Sequence, residues 1–294
     1  MRTAPRDPEL LLGETRIGSL HIDRDLRLRL WYAVGMASVR RRLARRVRGL
    51  RSEAGTFVRW ARSAHRTPRV RFVVFGSGRS GTTLLAELLN CHPEIVCERE
   101  LLHHPLVAPR AHVDRRCALA AKPVYGFKLL IRHLLEVQSL KEPTGFVRRL
   151  HEDGYRILHV QRMNPLRKAL SYIVAHRRQI WFAPQGAERA PVALEVRMPD
   201  LDRWLARLER WSAAEQEALR GLPHLSIVYE DDLLRSESHQ ATLDRSCAWL
   251  GVPSAACKAS LTRIAPDRIR DLVLNYDELA AHLAGTPYER VLDE

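Results

Sequence analysis

The segment that most constrains the fold is a strand–turn–helix signal near residue 76. The run VRFVVFG at Val70–Gly76 is short, apolar and rich in β-branched residues, which predicts a buried strand. The run TTLLAELLN at Thr82–Asn90 predicts a helix that ends near His92-Pro93. Between them the turn contains glycines at positions 76, 78 and 81. Glycine lets the backbone turn sharply and brings its N–H groups close to an oxyanion, and the start of a helix adds partial positive charge. The segment therefore predicts a phosphate-binding loop.

The rest of the chain after residue 66 alternates apolar runs with amphipathic segments. Strands are predicted at Tyr125–Ile131, Tyr155–Val160 and Leu225–Tyr229, and helices at Pro165–Arg177, Leu201–Leu219 and Leu243–Leu250. This alternation predicts a P-loop-like, three-layer α/β/α domain with a central parallel sheet over residues 67–294. Residues 178–200 contain four prolines or glycines and predict a long irregular loop that shapes acceptor binding.

Residues 1–66 form a separate, basic helical extension. An apolar stripe recurs at three- and four-residue steps, at Met36, Val39, Leu43, Val47 and Leu50. Arginines crowd the same stretch, at positions 40, 41, 42, 45, 46, 48 and 51. We favour a helix that packs on the main domain with its basic face in solvent. Peripheral contact with a membrane surface or a partner is the alternative interpretation.

The formal net charge of +14 suits an anionic partner. Nucleic acid is not the expected partner, because no zinc-finger spacing, RNP-like aromatic motif or zipper accompanies the basic helix. The five cysteines include no C-x-x-C pair, which disfavours a zinc site or a disulfide framework. The chain starts without the apolar core of a signal peptide, and its longest apolar run is too short to span a bilayer. We therefore expect a cytoplasmic protein, soluble or membrane-peripheral.

The loop has the Gly76-x4-Gly81 spacing of a Walker A motif, but Thr82 stands where that motif has its lysine. Phosphoryl transfer from ATP needs that lysine and a magnesium site. A kinase or NTPase with a degenerate loop is therefore a secondary hypothesis, beside a non-catalytic nucleotide-binding or membrane-surface module. Arg79, inside the loop, supplies the positive charge instead.

The sequence R-S-G-T-T at residues 79–83 resembles the 5′-phosphosulfate loop of sulfotransferases that use 3′-phosphoadenosine 5′-phosphosulfate (PAPS). Its arginine is typical of the carbohydrate and tyrosylprotein branches. The resemblance implies that PAPS is the donor and that no metal is needed. It also implies that the donor is bound by loop residues Gly78, Arg79, Ser80, Gly81, Thr82 and Thr83.

A second motif follows the strand YRILHV. Arg162 and Ser171 are separated by nine residues, as in the R-x-N-x-L…S pattern of bacterial nodulation-factor-type and trehalose-type sulfotransferases. In that family this arginine and serine bind the 3′-phosphate of PAPS, which suits a fixed guanidinium and a hydroxyl. Softer matches are VYGFKLL at 124–130, YEDDL at 229–233 and the segment 263–279. The resemblance covers about residues 69–290. The R-K-G loop of cytosolic sulfotransferases is absent, and Arg263 is the candidate that replaces its contact with the 3′-phosphate.

The resemblance also implies catalytic residues for sulfuryl transfer to a hydroxyl group, with a carbohydrate or glycolipid as the acceptor. Glu100 matches the position of the catalytic glutamate in tyrosylprotein sulfotransferases and is the first choice for the general base. Its rivals are Glu98, His103 and His104. Lys128, within the YGFKLL strand, is expected to face the leaving phosphate or the acceptor oxygen.

Overall fold

Five parallel strands form the centre of the computed structural model, which describes residues 24–138, 140–178, 193–256 and 268–292. The strands are β1 (Val70–Gly76), β2 (Ile95–Glu100), β3 (Val124–Leu130), β4 (Tyr155–Gln161) and β5 (His224–Val228). Their order across the sheet is β2-β3-β1-β4-β5, and every neighbouring pair is parallel. The predicted α/β fold with a central parallel sheet is confirmed.

Helices cover both faces of this sheet. Their bounds are α1 (Arg24–Arg62), α2 (Thr82–Cys91), α3 (Pro109–Ala118), α4 (Pro143–Glu152), α5 (Pro165–Arg178), α6 (Met198–Leu219), α7 (His239–Leu250), α8 (Ile269–Leu272) and α9 (Tyr276–Leu283). Short π-helical turns follow β3 at His133–Val137 and β5 at Tyr229–Leu233.

The sequence of β1 explains why it lies at the centre of the sheet. Phe72 and Val74 pack in one apolar cluster with residues of α2 and α7. Val73 and Phe75 point to the opposite face, into the larger cluster that includes residues of α3, α4, α5 and α6. A strand that is buried on both faces is apolar without alternation, as expected for a parallel sheet.

The connections leave a crevice between the carboxyl ends of β1 and β4. From β1 the chain passes through α2 to β2 at one edge of the sheet, whereas from β4 it passes through α5 and α6 to β5 at the other edge. In open α/β sheets ligands bind at such a switch point. Gly76, the last residue of β1, is paired with Val160 of β4. Arg162 therefore lies two residues beyond this pair, directly after the end of β4. The fold thus brings both sequence motifs to one end of two adjacent strands.

Strand β2 was not among the predicted strands. Its sequence, IVCERE, contains three charged residues, and only Ile95 and Cys97 are buried. An edge strand pairs on one side only and tolerates such charges, so its apolar signal is weak. Of the predicted loop at 178–200, residues 179–192 lie outside the described residues.

The described chain divides into two compact units between Val47 and Arg48, inside α1. Residues 48–62 belong to the larger unit. No helix in the described ranges is long and apolar enough to cross a bilayer.

Candidate active site

The loop between β1 and α2 presents the start of a helix to the crevice. Gly81 is the N-cap residue of α2 and has a left-handed φ of 91°. Among the side chains that the structure describes, none caps this terminus, and the first turn contains no acidic residue. The first-turn N–H groups and the helix dipole therefore favour an anion at this position.

Arg79 adopts a backbone conformation that is unusual for its residue type. Its φ of 63° is the single positive value recorded for a non-glycine residue in the described chain. Such a conformation costs on the order of 1–3 kcal/mol and is concentrated at functional sites. The Nε atom of Arg79 donates a hydrogen bond to the Oγ atom of Ser171 at 2.8 Å. Burial lowers the pKa of Arg79, which indicates a guanidinium withdrawn from water.

Arg162 is held beside the loop by contacts from three directions. Its Nη1 atom donates to the backbone carbonyl of Arg79 at 3.4 Å, and its guanidinium lies 4.7 Å from the centre of the Tyr229 ring. Its Nε atom is 3.8 Å from a carboxylate oxygen of Glu230. The structure therefore brings together Arg79, Arg162 and Ser171, which come from two separate motifs.

Glu230 also fixes the backbone that follows β4. Its carboxylate accepts hydrogen bonds from the N–H groups of Met163 at 3.0 Å and Asn164 at 3.3 Å. Glu230, in the acidic segment after β5, thus positions the turn that contains Arg162. The sequence analysis gave Glu230 no role in the site.

Gly78 is required by the packing of the loop against α5. A Cβ atom at this position would lie 2.3 Å from the hydroxyl of Tyr172. Tyr172 is buried, is stacked on Trp204 with ring centres 4.5 Å apart, and meets Trp211 edge-on. Because these rings hold Tyr172 in place, the loop can approach α5 only if residue 78 has no side chain.

Lys128 connects the loop helix to the predicted general base. This lysine is buried, and its Nζ atom donates to the Thr83 hydroxyl at 2.8 Å. The same Nζ atom lies 2.9 Å from Oε1 of Glu100. Thr83, Lys128 and Glu100, all selected from the sequence, therefore form one contiguous group.

An irregularity in β2 determines where Glu100 points. The pairing of β2 with β3 shifts between Glu98, which is paired with Phe127, and Glu100, which is paired with Lys128. In a regular strand residues two positions apart share a face. The extra residue, Arg99, places the two glutamates on opposite faces of the sheet, as a β-bulge does.

Two residues after β3 complete the environment of Glu100. Both contact the Oε2 atom of Glu100. The Nη2 atom of Arg132 is 3.1 Å from it, and the Nε2 atom of His133 is 2.9 Å from it. Sequence analysis missed both residues. They directly follow the predicted GFKLL strand, and polar residues just past the carboxyl end of a parallel strand are the signal that could have identified them.

The charges in this group are strongly coupled. Burial would raise the pKa of Glu100, but the hydrogen bond from His133 and the charge of Lys128 outweigh it and hold that pKa well below its ordinary value. Burial lowers the pKa of His133 from 6.5 to about 4 despite the hydrogen bond to Glu100. His133 is therefore neutral at pH 7. Its Nδ1 atom accepts from the Leu130 N–H group at 3.3 Å, which leaves the proton on Nε2, facing Glu100.

The rival bases occupy different surroundings. Glu98 forms a bidentate ion pair with Arg116 of α3. His103 contacts the backbone carbonyl of Glu100 and not its carboxylate, and it packs beside His104. Arg263 lies outside the described residues. Among the residues that are described, no group of three or more His, Cys, Asp or Glu side chains is arranged to hold a metal ion.

The fold and the loop define a P-loop-like α/β protein in which basic side chains and a helix start suit an anion at the carboxyl edge of the sheet. A sulfotransferase-family model matches residues 71–143, a segment that includes the loop, Glu100 and Lys128. Nodulation protein H of Rhizobium tropici is 27% identical over 236 residues, covering 76% of this chain and 92% of the relative. Nodulation protein H of Rhizobium meliloti is 24% identical over 239 residues, covering 76% and 94%. The chain is thus similar to a sulfotransferase family over residues 71–143 and to nodulation protein H over about three quarters of its length.

Solved structures give more distant likenesses. The sulfotransferase domain from the Synechococcus PCC 7002 olefin synthase has a TM-score of 0.35 and 17% identity, covering 70% of this chain and 83% of that one. Mouse sulfotransferase SULT7A1, complexed with PAP, has a TM-score of 0.39 and 15% identity, covering 82% and 92%.

Proposed function

We propose that this protein transfers a sulfuryl group from PAPS to a hydroxyl of a carbohydrate or glycolipid acceptor. The observation that carries the proposal is the hydrogen bond from Arg79 to Ser171, with Arg162 on the carbonyl of Arg79. PAPS has two separate anionic groups, the 5′-phosphosulfate and the 3′-phosphate. The two motifs that suit these groups lie together at the carboxyl ends of β1 and β4.

The donor set of the site fits this nucleotide. The uncapped start of α2, together with Arg79, Ser80 and Thr82, would bind the 5′-phosphosulfate. Arg162 and Ser171 would bind the 3′-phosphate, because a guanidinium and a hydroxyl directed at one point suit a dianion. Glu230 and Tyr229 would keep Arg162 oriented for this contact. Arg263 remains proposed as a further ligand of the 3′-phosphate.

Bound PAPS would supply an activated sulfuryl group. The protein's part is to position the acceptor and to neutralise the charge that develops on the leaving oxygen. Lys128 is suited to the second task, since its ammonium is buried beside Thr83 in the first turn of α2.

Glu100 would accept the proton of the acceptor hydroxyl. Its lowered pKa keeps the carboxylate ionised at neutral pH, which is the state that a base requires, although it also weakens its affinity for a proton. Arg132 and His133 hold the carboxylate in one orientation. The carbohydrate or glycolipid acceptor is proposed from the nodulation-type resemblance, and the curated relatives carry the name nodulation protein H.

A thermal-shift titration with adenosine 3′,5′-bisphosphate, compared with ATP plus magnesium, tests the donor assignment. We expect the bisphosphate to raise the unfolding temperature at concentrations where ATP-magnesium has a much smaller effect, since at equal concentration the ligand with the higher affinity for the native state stabilises it more. A stronger response to ATP-magnesium would favour the degenerate P-loop kinase or NTPase. Absence of any response to the bisphosphate would contradict the PAPS assignment.

A further inference from the structure

The carboxyl-terminal half of α1 packs through a small, polar face. Gly49 lies against the backbone of Pro105, so close that a Cβ atom at Gly49 would be 1.8 Å from the Pro105 carbonyl oxygen. The buried carboxylate of Glu53 accepts the N–H groups of Val107 at 2.7 Å and Ala108 at 2.8 Å. Thr56 is buried on the same face.

The apolar stripe of α1 is on a different face and is exposed. Successive residues of a helix are rotated by about 100°, which places Leu50 about 60° and Phe57 about 40° around the helix from Glu53, both to the same side of it. Leu50 is 52% exposed and Phe57 is 47% exposed. Large apolar side chains with substantial exposure recur along this helix at Val39, Leu43, Val47, Leu50, Phe57 and Val58. Leu50 and Phe57 are therefore not buried by the packing of Gly49, Glu53 and Thr56.

Positive charge flanks the stripe. The sequence from Val39 to Ser52 contains seven arginines and no acidic residue. Glu53, the next acidic residue, is buried with both oxygens bonded to backbone N–H groups. Between Val39 and Ser52, the arginines whose side chains are described are all exposed: Arg40, Arg42, Arg45, Arg46, Arg48 and Arg51.

An occupant of this surface must satisfy both its apolar stripe and its charge. A second copy of the helix would bring like charges together, which is unfavourable. Nucleic acid would pair with the arginines but would leave the leucines and valines in water. A bilayer with anionic headgroups provides hydrocarbon for the stripe and phosphates for the arginines.

We propose that α1 lies on an anionic membrane surface, with its apolar stripe at the boundary between headgroups and acyl chains. This proposal rests on the surface of α1 alone and does not depend on the nucleotide or the acceptor.

Co-sedimentation of the full chain with vesicles tests the proposal. Phosphatidylcholine vesicles containing 30% phosphatidylglycerol (about 1 in 3 lipids, chosen to give a strongly negative surface) are compared with pure phosphatidylcholine vesicles. We expect binding to the anionic vesicles and little to the neutral ones, with weakening as salt is raised.

Paired variants separate the apolar and the charged contributions. Leu43→Ser/Leu50→Ser should reduce partitioning by on the order of tenfold or more, whereas the control Val107→Ser/Leu274→Ser, at exposed positions outside α1, should not. Arg42→Gln/Arg46→Gln/Arg51→Gln should reduce it by roughly 100-fold at low salt. The control Arg203→Gln/Arg210→Gln/Arg220→Gln removes the same net charge from exposed positions on α6 and directly after it. All positions are exposed, so unchanged unfolding temperatures should verify that each variant is folded.

Three results would overturn the proposal. The first is failure of the full chain to bind anionic vesicles. The second is equal loss of binding in the α1 and α6 arginine variants, because that reports net charge and not a local surface. The third combines two observations: the leucine substitutions do not change vesicle binding, and a 30-base-pair DNA duplex (about three helical turns) competes fully with the vesicles for the same arginines. That result would assign the helix to nucleic acid.

Discussion

The Nε atom of Arg79 donates a hydrogen bond to Oγ of Ser171 at 2.8 Å, across 92 positions of sequence. Arg79 is in the loop after β1, and Ser171 is in α5 after β4. Because β1 and β4 are adjacent and parallel, their carboxyl ends meet, and the two motifs become one site. Consequences of this arrangement can be tested at individual residues.

Ser171→Ala should weaken the binding of adenosine 3′,5′-bisphosphate by roughly 10- to 100-fold. The substitution removes the partner of a partly buried charged group, a change of about 1.5–3 kcal/mol for a hydrogen bond to a charge. Isothermal titration calorimetry measures the effect. Ser236→Ala, at an exposed position in a short turn, is the control and should bind as the unmodified protein does. Equal affinities for both variants would exclude Ser171 from the nucleotide site.

Arg162→Ala should discriminate between nucleotides. Affinity for adenosine 3′,5′-bisphosphate should fall by roughly two orders of magnitude, since a charge-assisted contact to a phosphate is lost, while affinity for adenosine 5′-monophosphate should change little. Arg210→Ala on α6, exposed and distant in sequence, should affect neither. Equal losses for the two nucleotides would contradict the assignment of Arg162 to the 3′-phosphate.

Glu100→Gln should retain binding of the bisphosphate but lose sulfuryl transfer by roughly 100- to 10,000-fold, the range for removing a general base. Transfer of label from PAPS to a glycan or glycolipid extract gives the rate. Glu98→Gln is the matched control, because Glu98 pairs with Arg116 across the bulge from Glu100. If the Glu100 variant keeps full activity, the base must be Glu98, His103 or His104.

His133 should make stability dependent on pH between about 6.5 and 4. Its pKa is lowered from 6.5 to about 4, so in this window the unfolded chain binds the proton and the folded chain does not. The neutral, buried His133 therefore makes its full contribution to the free energy of unfolding above pH 6.5. This contribution is lost as the pH drops toward 4, and the loss is on the order of 1–3 kcal/mol. Thermal melts of the unmodified protein and of His133→Gln measure it. The variant should lose this part of the slope; identical slopes would show that other groups cause it.

The lowered pKa of Glu100 acts in a more acidic window. A carboxyl group with a depressed folded pKa stabilises the fold above its unfolded value, near 4.3, and this contribution is lost as the pH falls further. Glu100→Gln should therefore reduce the dependence of the free energy of unfolding on pH below about pH 4.3. Above about pH 5, the dependence that is due to His133 should remain.

Gly78→Ala should lower the unfolding temperature and weaken bisphosphate binding at least tenfold, by roughly 1.4 kcal/mol or more. The added Cβ meets the Tyr172 hydroxyl, which cannot move away because Trp204 and Trp211 hold its ring. Gly55→Ala is the control. Its Cβ meets nothing within 4 Å, so this helical substitution should stabilise by up to about 1 kcal/mol. A Gly78 variant that binds normally would show that the loop does not need its close approach to α5.

The sequence by itself determined the parallel α/β class, and it selected the glycine-rich loop and the residues Arg79, Arg162 and Ser171, which the structure brings together. These depend on local signals: an apolar run without alternation, glycines at a helix start, and an arginine and a serine at fixed spacing after a strand. Such signals are readable because neighbours in the chain produce them.

Only the tertiary structure decided how the carboxylates and the basic helix are arranged. Strand alternation predicts one face for Glu98 and Glu100, but the bulge at Arg99 separates them, and pairing with β3 sets that register. Arg132 and His133 gain their relation to Glu100 through the same pairing. Likewise, the stripe on α1 is visible in the sequence, but its exposure depends on Gly49 and Glu53 packing against residues more than fifty positions away. Contacts of this kind arise from the free energy of the whole fold and leave no local pattern in the chain.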